Sequence, residues 1–253
     1  MKLDTHTHVM LKPFYGLEAT DPEKLLSDFV EYGFEGCWIS SIDSLITRDL
    51  NVQRVANDAL AELAERFPGR FEGFCTVEPS AMEDGAREIE RCATELHLLG
   101  VKMHPWLQAF SVTHPGMDMV MEAAGSFGMP VLFHDGTPPY ATPRQIGWLA
   151  AKHPNTTVIL GHMGLADLWR DAVDCAVLHE NIWLQPTGAP VAAIRVAAEA
   201  VGTDRLLFGA DSGFGSARIL GYRLSLYEAA LGEEAFEKVL TENPQKLKSK
   251  RKR

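Results

Sequence analysis

The sequence has few cysteines and no long apolar run. Its 253 residues include four cysteines, which are scattered and form no Cys-x-x-Cys pair. This usage predicts reduced thiols in a cytoplasmic protein rather than a disulfide framework. No apolar stretch approaches the roughly 18 residues that a membrane-spanning helix requires. Charged residues from position 2 onward also argue against a signal peptide, so we expect no membrane partner.

Positive charge is scarce outside one short segment. The chain has 34 acidic and 24 basic residues, a net charge of −10, and its last eight residues, KLKSKRKR, hold six of the cations. The acidic remainder argues against nucleic acid as the main partner, because phosphates repel it. We expect residues 246–253 to form a basic, disordered tail with no assigned role.

The sequence also lacks an internal linker, a low-complexity stretch and a glycine-rich phosphate loop after its first predicted strand. Instead, short apolar segments recur about every thirty residues and alternate with helical segments rich in Ala, Leu and Glu. A helix is predicted to begin at Asp21-Pro22, an N-cap residue followed by proline at the first helical position. Eight strands are predicted at 3–8, 36–41, 71–77, 100–104, 130–134, 156–162, 181–185 and 205–211.

The alternation of strands and helices predicts an α/β fold. Parallel strands joined by right-handed crossovers follow from this order, and eight such units are typical of a closed (β/α)8 TIM barrel. We therefore expect a single TIM-barrel domain over residues 1–245. A doubly wound open sheet is the alternative.

Polar side chains end five of the eight predicted strands. The carboxyl ends of barrel strands surround the active site, so these side chains are expected to meet. His6 and His8 share a strand face with Asp4, because side chains alternate along a strand. The other strands contribute Lys102, His104, His134, His162 and Asp211. Such a cluster is costly without an ion or a substrate, so we expect a metal site there.

These motifs resemble the amidohydrolase superfamily and, more narrowly, its amidohydrolase-2 branch. DTHTHV, GVKMHP, VLFHDG, VILGHMG and LLFGADS follow one another in the order expected for that branch, over nearly the whole chain. The resemblance implies a TIM barrel with a metal site. It is a poor guide to the substrate, because the branch includes hydrolases of amides and lactones as well as nonoxidative decarboxylases of aromatic acids.

A divalent metal is the expected cofactor. His6, His8 and His134 are the expected nitrogen ligands and Asp211 is the expected oxygen ligand, a set that favours Zn²⁺ and also admits Mn²⁺, Fe²⁺, Co²⁺ or Ni²⁺. By resemblance, His162 either binds a second metal or hydrogen-bonds the attacking water or the substrate. Lys102 either becomes carboxylated and bridges two metals, or holds a substrate carboxylate as an ammonium. We favour one metal.

The leading functional prediction is hydrolysis of a small organic substrate, namely an amide, ester or lactone, by a metal-activated water. Asp211 would act as general base and then as acid, with His162 and Lys102 as further catalytic residues. Loops after the strands are expected to bind the substrate. The candidate substrate-binding residues are Arg48, His104, Trp106, Tyr140 and Gln185.

Other functions compete with hydrolysis. The alternative is a nonoxidative decarboxylase of a small aromatic or hydroxy acid that uses the same metal site. A phosphoesterase is disfavoured, because its site needs a further histidine near the chain end and no histidine follows His179. A non-catalytic metal-dependent sensor is the remaining class. The expected partner is a small-molecule substrate, and the sequence leaves a homo-oligomer open.

Overall fold

The fold is a curled parallel sheet surrounded by helices. The structure is a computed structural model that describes residues 1–13, 16–214 and 217–252. Seven strands are hydrogen-bonded in chain order, and each runs parallel to the next. They are β1 (Leu3–Val9), β2 (Gly36–Ser41), β3 (Phe71–Cys75), β4 (Gly100–Met103), β5 (Val131–Phe133), β6 (Val158–Leu160) and β7 (Ile182–Leu184).

The α-helices follow the strands along the chain. Those in the described residues are α1 (Pro22–Glu31), α2 (Ile42–Leu45), α3 (Leu50–Arg66), α4 (Glu83–Thr94), α5 (Gly116–Ser126), α6 (Pro143–Lys152), α7 (Trp169–Leu178), α8 (Val191–Val201), α9 (Arg218–Leu231) and α10 (Glu233–Ser249). In the described part of the chain, none combines the length and the apolar character needed to cross a membrane.

The start of α1 confirms the predicted cap. The carboxylate of Asp21 accepts hydrogen bonds from the backbone amides of Glu23 and Lys24 at 3.0 and 3.2 Å, and Pro22 occupies the first helical position. These bonds satisfy two amides that a helix start leaves without an intrahelical partner. The local sequence is therefore sufficient to set where this helix begins.

Residues 206–212 lie between the two edge strands of the sheet. Leu206 forms a parallel bridge with Leu184 of β7, and Ser212 forms one with Thr7 of β1. The sheet is therefore curled far enough for one segment to bond to both edges. Seven of the predicted strands are confirmed, whereas the eighth forms isolated bridges rather than a regular strand in the described residues.

The sheet separates two hydrophobic clusters. The larger one lies between the strands and the surrounding helices. The smaller one, called the floor cluster below, takes nearly all its residues from the strands and their flanks: Trp38, Phe74, Leu99, Leu132, Ile159, Trp183, Leu207 and Leu247. Because side chains alternate along a strand, these residues face away from the surrounding helices. The floor cluster therefore fills the concave face of the curled sheet.

The basic segment that begins at residue 246 differs from the disordered tail that its charge predicts. Helix α10 continues to Ser249, and Leu247 is only 1% exposed within the floor cluster. Beyond the helix, the guanidinium of Arg251 donates to the backbone carbonyls of Ala93, Leu98 and Phe127, which lie in other parts of the chain. The charge pattern did not predict this ordered structure, because the packing contact comes from a single leucine, Leu247, among the basic residues.

Leu247→Ala is expected to lower the free energy of unfolding by about 2–5 kcal/mol, the usual range when a buried leucine is cut to alanine. Chemical denaturation monitored by circular dichroism measures the change. Leu178→Ala is the matched control, because Leu178 is 71% exposed on α7. This control should change stability by less than about 0.5 kcal/mol. Equal stabilities of the two variants would show that Leu247 does not support the floor cluster.

Candidate metal centre

A layer of mostly polar residues lies directly above the floor cluster. Residues two positions apart share a strand face, so the residue two positions beyond each strand member of the floor cluster also faces the interior. Six such positions are occupied by Ser40, Thr76, His134, Gly161, Gln185 and Gly209. Large apolar side chains thus give way to polar groups and glycines toward the carboxyl ends of the strands.

Two glycines in this layer make room for the ring of His6. A Cβ atom on Gly209 would lie 2.7 Å from Cβ of His6 and 2.5 Å from Cδ of Gln185. A Cβ atom on Gly161 would lie 3.2 Å from Cε1 of His6 and 2.5 Å from the carbonyl oxygen of Phe133. A side chain at Gly209 would therefore collide with His6 and Gln185, and one at Gly161 would collide with the Phe133 carbonyl and crowd the ring of His6. Both glycines are thus part of the site.

His6, His162 and Asp211 form a group that fits a metal ion. One ligand atom from each lies within 4.8 Å of the other two. Nε2 of His6 lies 3.6 Å from Oδ1 of Asp211. Ligand atoms that are each about 2.0–2.1 Å from a zinc-sized ion lie at most about 4.2 Å apart. Small side-chain movements therefore suffice to bring the three atoms onto one ion.

The ring of His162 offers a buried atom that is free to bind. Its Nδ1 donates to the carbonyl oxygen of Thr187 at 3.0 Å, because a carbonyl can only accept. Nε2 therefore carries the lone pair, and it is buried without a hydrogen-bond partner among the described residues. Burial lowers the pKa of His162 to about 4, so the ring is neutral at pH 7. A neutral imidazole with an open lone pair suits a divalent metal.

The other two predicted ligands border this group. Nε2 of His8 lies 3.1 Å from Oδ1 of Asp211, the same oxygen that faces His6. The ring of His134 lies 4.2 Å from the ring of His162, measured between centroids. All four predicted ligands thus lie in one cluster with His162. Whether His8 and His134 bind the metal stays a prediction.

Asp211 is partly exposed, with 32% of its side chain accessible. Its φ of +57° lies in the left-handed region, and its backbone amide donates to the carbonyl of His6 at 2.9 Å. Burial raises the pKa of Asp211, but His6 and His8 outweigh it and hold this pKa well below its usual range. Asp211 is therefore ionised, which suits an oxygen ligand and a proton acceptor.

Lys102 is fully buried beside the same group. Its Nζ lies 2.8 Å from Nε2 of His6. Burial lowers the pKa of Lys102 to about 8, although the carboxylates of Asp211 and Asp135 act in the opposite direction. The side chain thus remains mostly protonated at pH 7. Its two predicted roles, carboxylated bridge and holder of a substrate carboxylate, both stay predictions.

Two buried carboxylates fix the backbone around the ligands. Asp4 accepts from the amide of His6 at 2.9 Å, and Asp135 accepts from the amides of His162 and Gly164 at 2.7 and 2.6 Å. Burial raises the pKa of Asp4 to about 7 and that of Asp135 to about 6. The sequence analysis did not single out Asp135, although it directly follows a predicted ligand.

Two of the predicted substrate-binding residues already have protein partners. The guanidinium of Arg48 donates to the buried carboxylate of Glu78 at 3.3 Å. Oε1 of Gln185 lies 2.7 Å from Nδ1 of His6, so its side chain contacts a predicted ligand. Their predicted contacts with a substrate are untested.

The other three predicted substrate-binding residues follow β4 and β5. The ring of His104 stacks on His134, with centroids 3.8 Å apart and planes inclined by 11°. Trp106 is 54% exposed, and its ring centroid lies 6.0 Å from that of His104. Tyr140 is partly buried in the loop after β5. The rings of His104 and Trp106 therefore lie on the His134 side of the metal group.

Comparison with known proteins places these residues in a family. The sequence model of the amidohydrolase family matches residues 3–247. The gamma-resorcylate decarboxylase of Rhodococcus jostii (strain RHA1) is 27% identical over an alignment 175 residues long, which covers 54% of this chain and 51% of that protein. The chain thus aligns with about half the length of this relative.

Two solved structures share the fold over 98% of this chain. The 5-carboxyvanillate decarboxylase of Sphingomonas paucimobilis has a TM-score of 0.81 at 18% identity, with 98% of that chain covered. A dihydroxybenzoic acid decarboxylase of Polaromonas sp. JS666, solved with manganese and the inhibitor 2-nitroresorcinol, has a TM-score of 0.77 at 21% identity, with 96% covered.

These comparisons correct two predictions. The prediction of a hydrolase is wrong, because the relative in sequence and both structural neighbours are named as decarboxylases. The sequence analysis missed this because hydrolases and decarboxylases of the branch carry the same metal-binding motifs. A divalent metal is supported, but the preference for Zn²⁺ is not, since one neighbour holds manganese.

Proposed function

Because this chain belongs to the amidohydrolase family, we propose that it is a divalent-metal-dependent, nonoxidative decarboxylase of a small hydroxylated aromatic acid. One observation carries the proposal: the buried, unpaired Nε2 of His162 lies beside His6 and Asp211 in a group that fits a metal. The names of the relatives then favour decarboxylation over hydrolysis at this centre.

The barrel fold is part of the proposal. We infer that residues 206–212 act as an eighth strand that closes the curled sheet into a TIM barrel. The bridges from this segment to β7 and to β1 support the inference. In a closed barrel, His6, His162 and Asp211 would all lie at the carboxyl ends of strands, where barrel enzymes place their active sites.

His6, His162 and Asp211 would hold one metal ion. His8 and His134, which lie beside this group, would be further ligands of the same ion. A bound ion would supply Lewis acidity and orient the oxygen atoms of the substrate. Nitrogen and oxygen ligands accept several divalent ions, so geometry alone does not select one. Mn²⁺ is the first ion to test, because the Polaromonas neighbour contains it.

The reaction requires one proton to reach a carbon atom. Asp211 is ionised, so it would first accept the proton of the substrate hydroxyl group and then donate it to the ring carbon that bears the carboxylate. The bond from this carbon to the carboxylate then breaks, and carbon dioxide leaves. The bonding electrons restore the aromatic ring and leave a negative charge on the substrate oxygen, which regains a proton from water.

The surroundings of the metal group suit a flat anion. The stacked rings of His104 and His134, with Trp106 beside them, offer aromatic surfaces against which a ring can pack. Lys102 contributes positive charge close to His6, which would attract a carboxylate. These features support an aromatic acid as the substrate.

Parallel assays test the proposed reaction. The protein is loaded with Mn²⁺ and supplied with a panel of hydroxybenzoates, from which release of carbon dioxide is measured. The same preparation is supplied with amide, ester and lactone panels, and a chelated sample serves as the control. We expect metal-dependent release of carbon dioxide and no hydrolysis. Metal-dependent hydrolysis without release of carbon dioxide would contradict the proposal.

A further inference from the structure

The two ring nitrogens of His6 face different surroundings. Nδ1 lies 2.7 Å from Oε1 of Gln185, whereas Nε2 lies 2.8 Å from Nζ of Lys102 and 3.6 Å from Oδ1 of Asp211 on the metal side. A neutral imidazole carries one proton, and the nitrogen that carries it cannot bind a metal. The position of this proton therefore decides whether His6 can serve as a ligand.

A chain of hydrogen bonds behind His6 determines where the proton lies. The hydroxyl of Thr5 donates to the carbonyl oxygen of Phe208 at 2.7 Å. The Thr5 oxygen must then accept from the side-chain amide nitrogen of Gln185. The Gln185 oxygen consequently faces His6 and accepts from Nδ1–H. Nε2 is left with its lone pair toward the metal group, where the ammonium of Lys102 donates to it at 2.8 Å and favours the same tautomer.

Packing holds this chain of hydrogen bonds in place. Thr5 and Gln185 are both fully buried, so water does not compete for their polar atoms. Gly209 lies against both His6 and Gln185, where a Cβ atom would come within 2.7 Å of each side chain. These hydrogen bonds also connect three parts of the chain: β1, Gln185 directly after β7, and the segment 206–212, which contains Phe208. The arrangement is therefore built into the place where the sheet curls on itself.

We propose that Gln185 is a positioning residue that holds His6 in the tautomer whose Nε2 lone pair binds the metal, and that Thr5 orients the Gln185 amide. The inference rests on the proposed metal site and adds the group that prepares it. It replaces the substrate contact predicted for Gln185, because the amide is buried and uses both its oxygen and its nitrogen within the protein.

The first test reads the tautomer without measuring activity. In the metal-free 253-residue chain with ¹⁵N-labelled histidine, long-range ¹H–¹⁵N correlations distinguish the two neutral forms of each ring. The His6 signals are assigned by comparison with His6→Gln. We expect the proton of His6 on Nδ1 in the wild type. The comparison is made in a Lys102→Met background, because the ammonium of Lys102 would otherwise keep the proton off Nε2. In that background, Gln185→Leu keeps a similar volume without an acceptor and should populate the form with the proton on Nε2.

The second test measures Mn²⁺ binding by isothermal titration calorimetry. Gln185→Leu and Thr5→Val should each weaken binding by about 10–100-fold, the usual effect of removing a group that orients a metal ligand. Thr5→Ser keeps the hydroxyl and should bind as the wild type does. Thr156→Val is the control. Thr156 precedes β6, at the end of the strand away from His162, and its buried hydroxyl donates to the carbonyl of Met121. This control should leave Mn²⁺ affinity unchanged.

Several outcomes would overturn the inference. One is a wild-type His6 that carries its proton on Nε2. Another is a folded Gln185→Leu variant that keeps the Nδ1–H form in the Lys102→Met background. A third is a Gln185→Leu variant of the otherwise wild-type chain that keeps full Mn²⁺ affinity, or that only raises KM for a hydroxybenzoate. If Gln185→Leu does not fold, the His6 tautomer and the Mn²⁺ affinity are measured on Thr5→Val instead, and the same outcomes would overturn the inference. A wild-type protein that binds no Mn²⁺ would contradict the proposed metal site, while the tautomer measurement would still test Gln185.

Discussion

A fully metallated Asp211→Asn variant is expected to release carbon dioxide about 10²–10⁴-fold more slowly than the wild type, the range typical for loss of a proton-transferring side chain. Asparagine keeps the shape of Asp211 and an oxygen that can face the metal, so His6 and His162 should still hold the ion. It cannot accept a proton from the substrate and deliver it to carbon. The loss should therefore appear in kcat, while KM changes far less.

The assay of Asp211→Asn depends on its metal content. Metal is quantified by atomic emission in the same sample used for kinetics, because loss of the ion would imitate loss of the proton carrier. Asp167→Asn is a suitable control, since it removes an exposed carboxylate from the loop after β6. A fully metallated Asp211→Asn protein with near-normal kcat would rule out Asp211 as the proton carrier and direct attention to His162.

Removal of the metal should abolish activity completely. Purified protein is expected to hold about one divalent ion per chain, since ligand atoms in a prepared site bind such ions tightly. The double variant His6→Ala, His8→Ala removes two imidazoles that face Asp211 at 3.6 and 3.1 Å. It should lose both the stoichiometric ion and the release of carbon dioxide. Equilibrium dialysis against Mn²⁺ measures the occupancy.

A matched double variant controls for the loss of two histidines. His97→Asn with His179→Asn changes two residues outside the metal group, and asparagine tolerates the positive φ of +54° at position 97. This control should keep its ion and its activity. If the His6 and His8 double variant still binds one equivalent of Mn²⁺ with normal affinity, β1 does not supply the ligands.

The strands and the polar cluster could be predicted because both follow from local sequence. The short apolar segments that recur between helical segments located seven strands. The residues predicted at the ends of these segments include His6, His162 and Asp211, which the structure brings together. Only the segment at 206–212 was less regular than expected. Its sequence has a strand pattern, but whether it forms a full ladder depends on how closely β1 and β7 approach each other.

Other features depend on partners that are distant in sequence. Gln185 and Arg48 were predicted to contact a substrate, yet the structure bonds them to His6 and Glu78, and no local pattern indicates such partners. The role of Leu247 was hidden for the same reason, since the floor cluster that it contacts comes from the strands. The reaction itself was mispredicted because the same metal ligands serve both kinds of chemistry.

The contact between β1 and residues 206–212 also has a consequence for how the chain folds. Thr5 and Phe208 are 203 residues apart, so β1 has β2 on one side early in synthesis and gains its second neighbour only much later. Until then, one edge of the strand that carries His6 and His8 presents unpaired amides and carbonyls, which other chains can bind. Closing so long a loop is slow. The protein is therefore most exposed to aggregation during the interval in which its metal ligands are still apart.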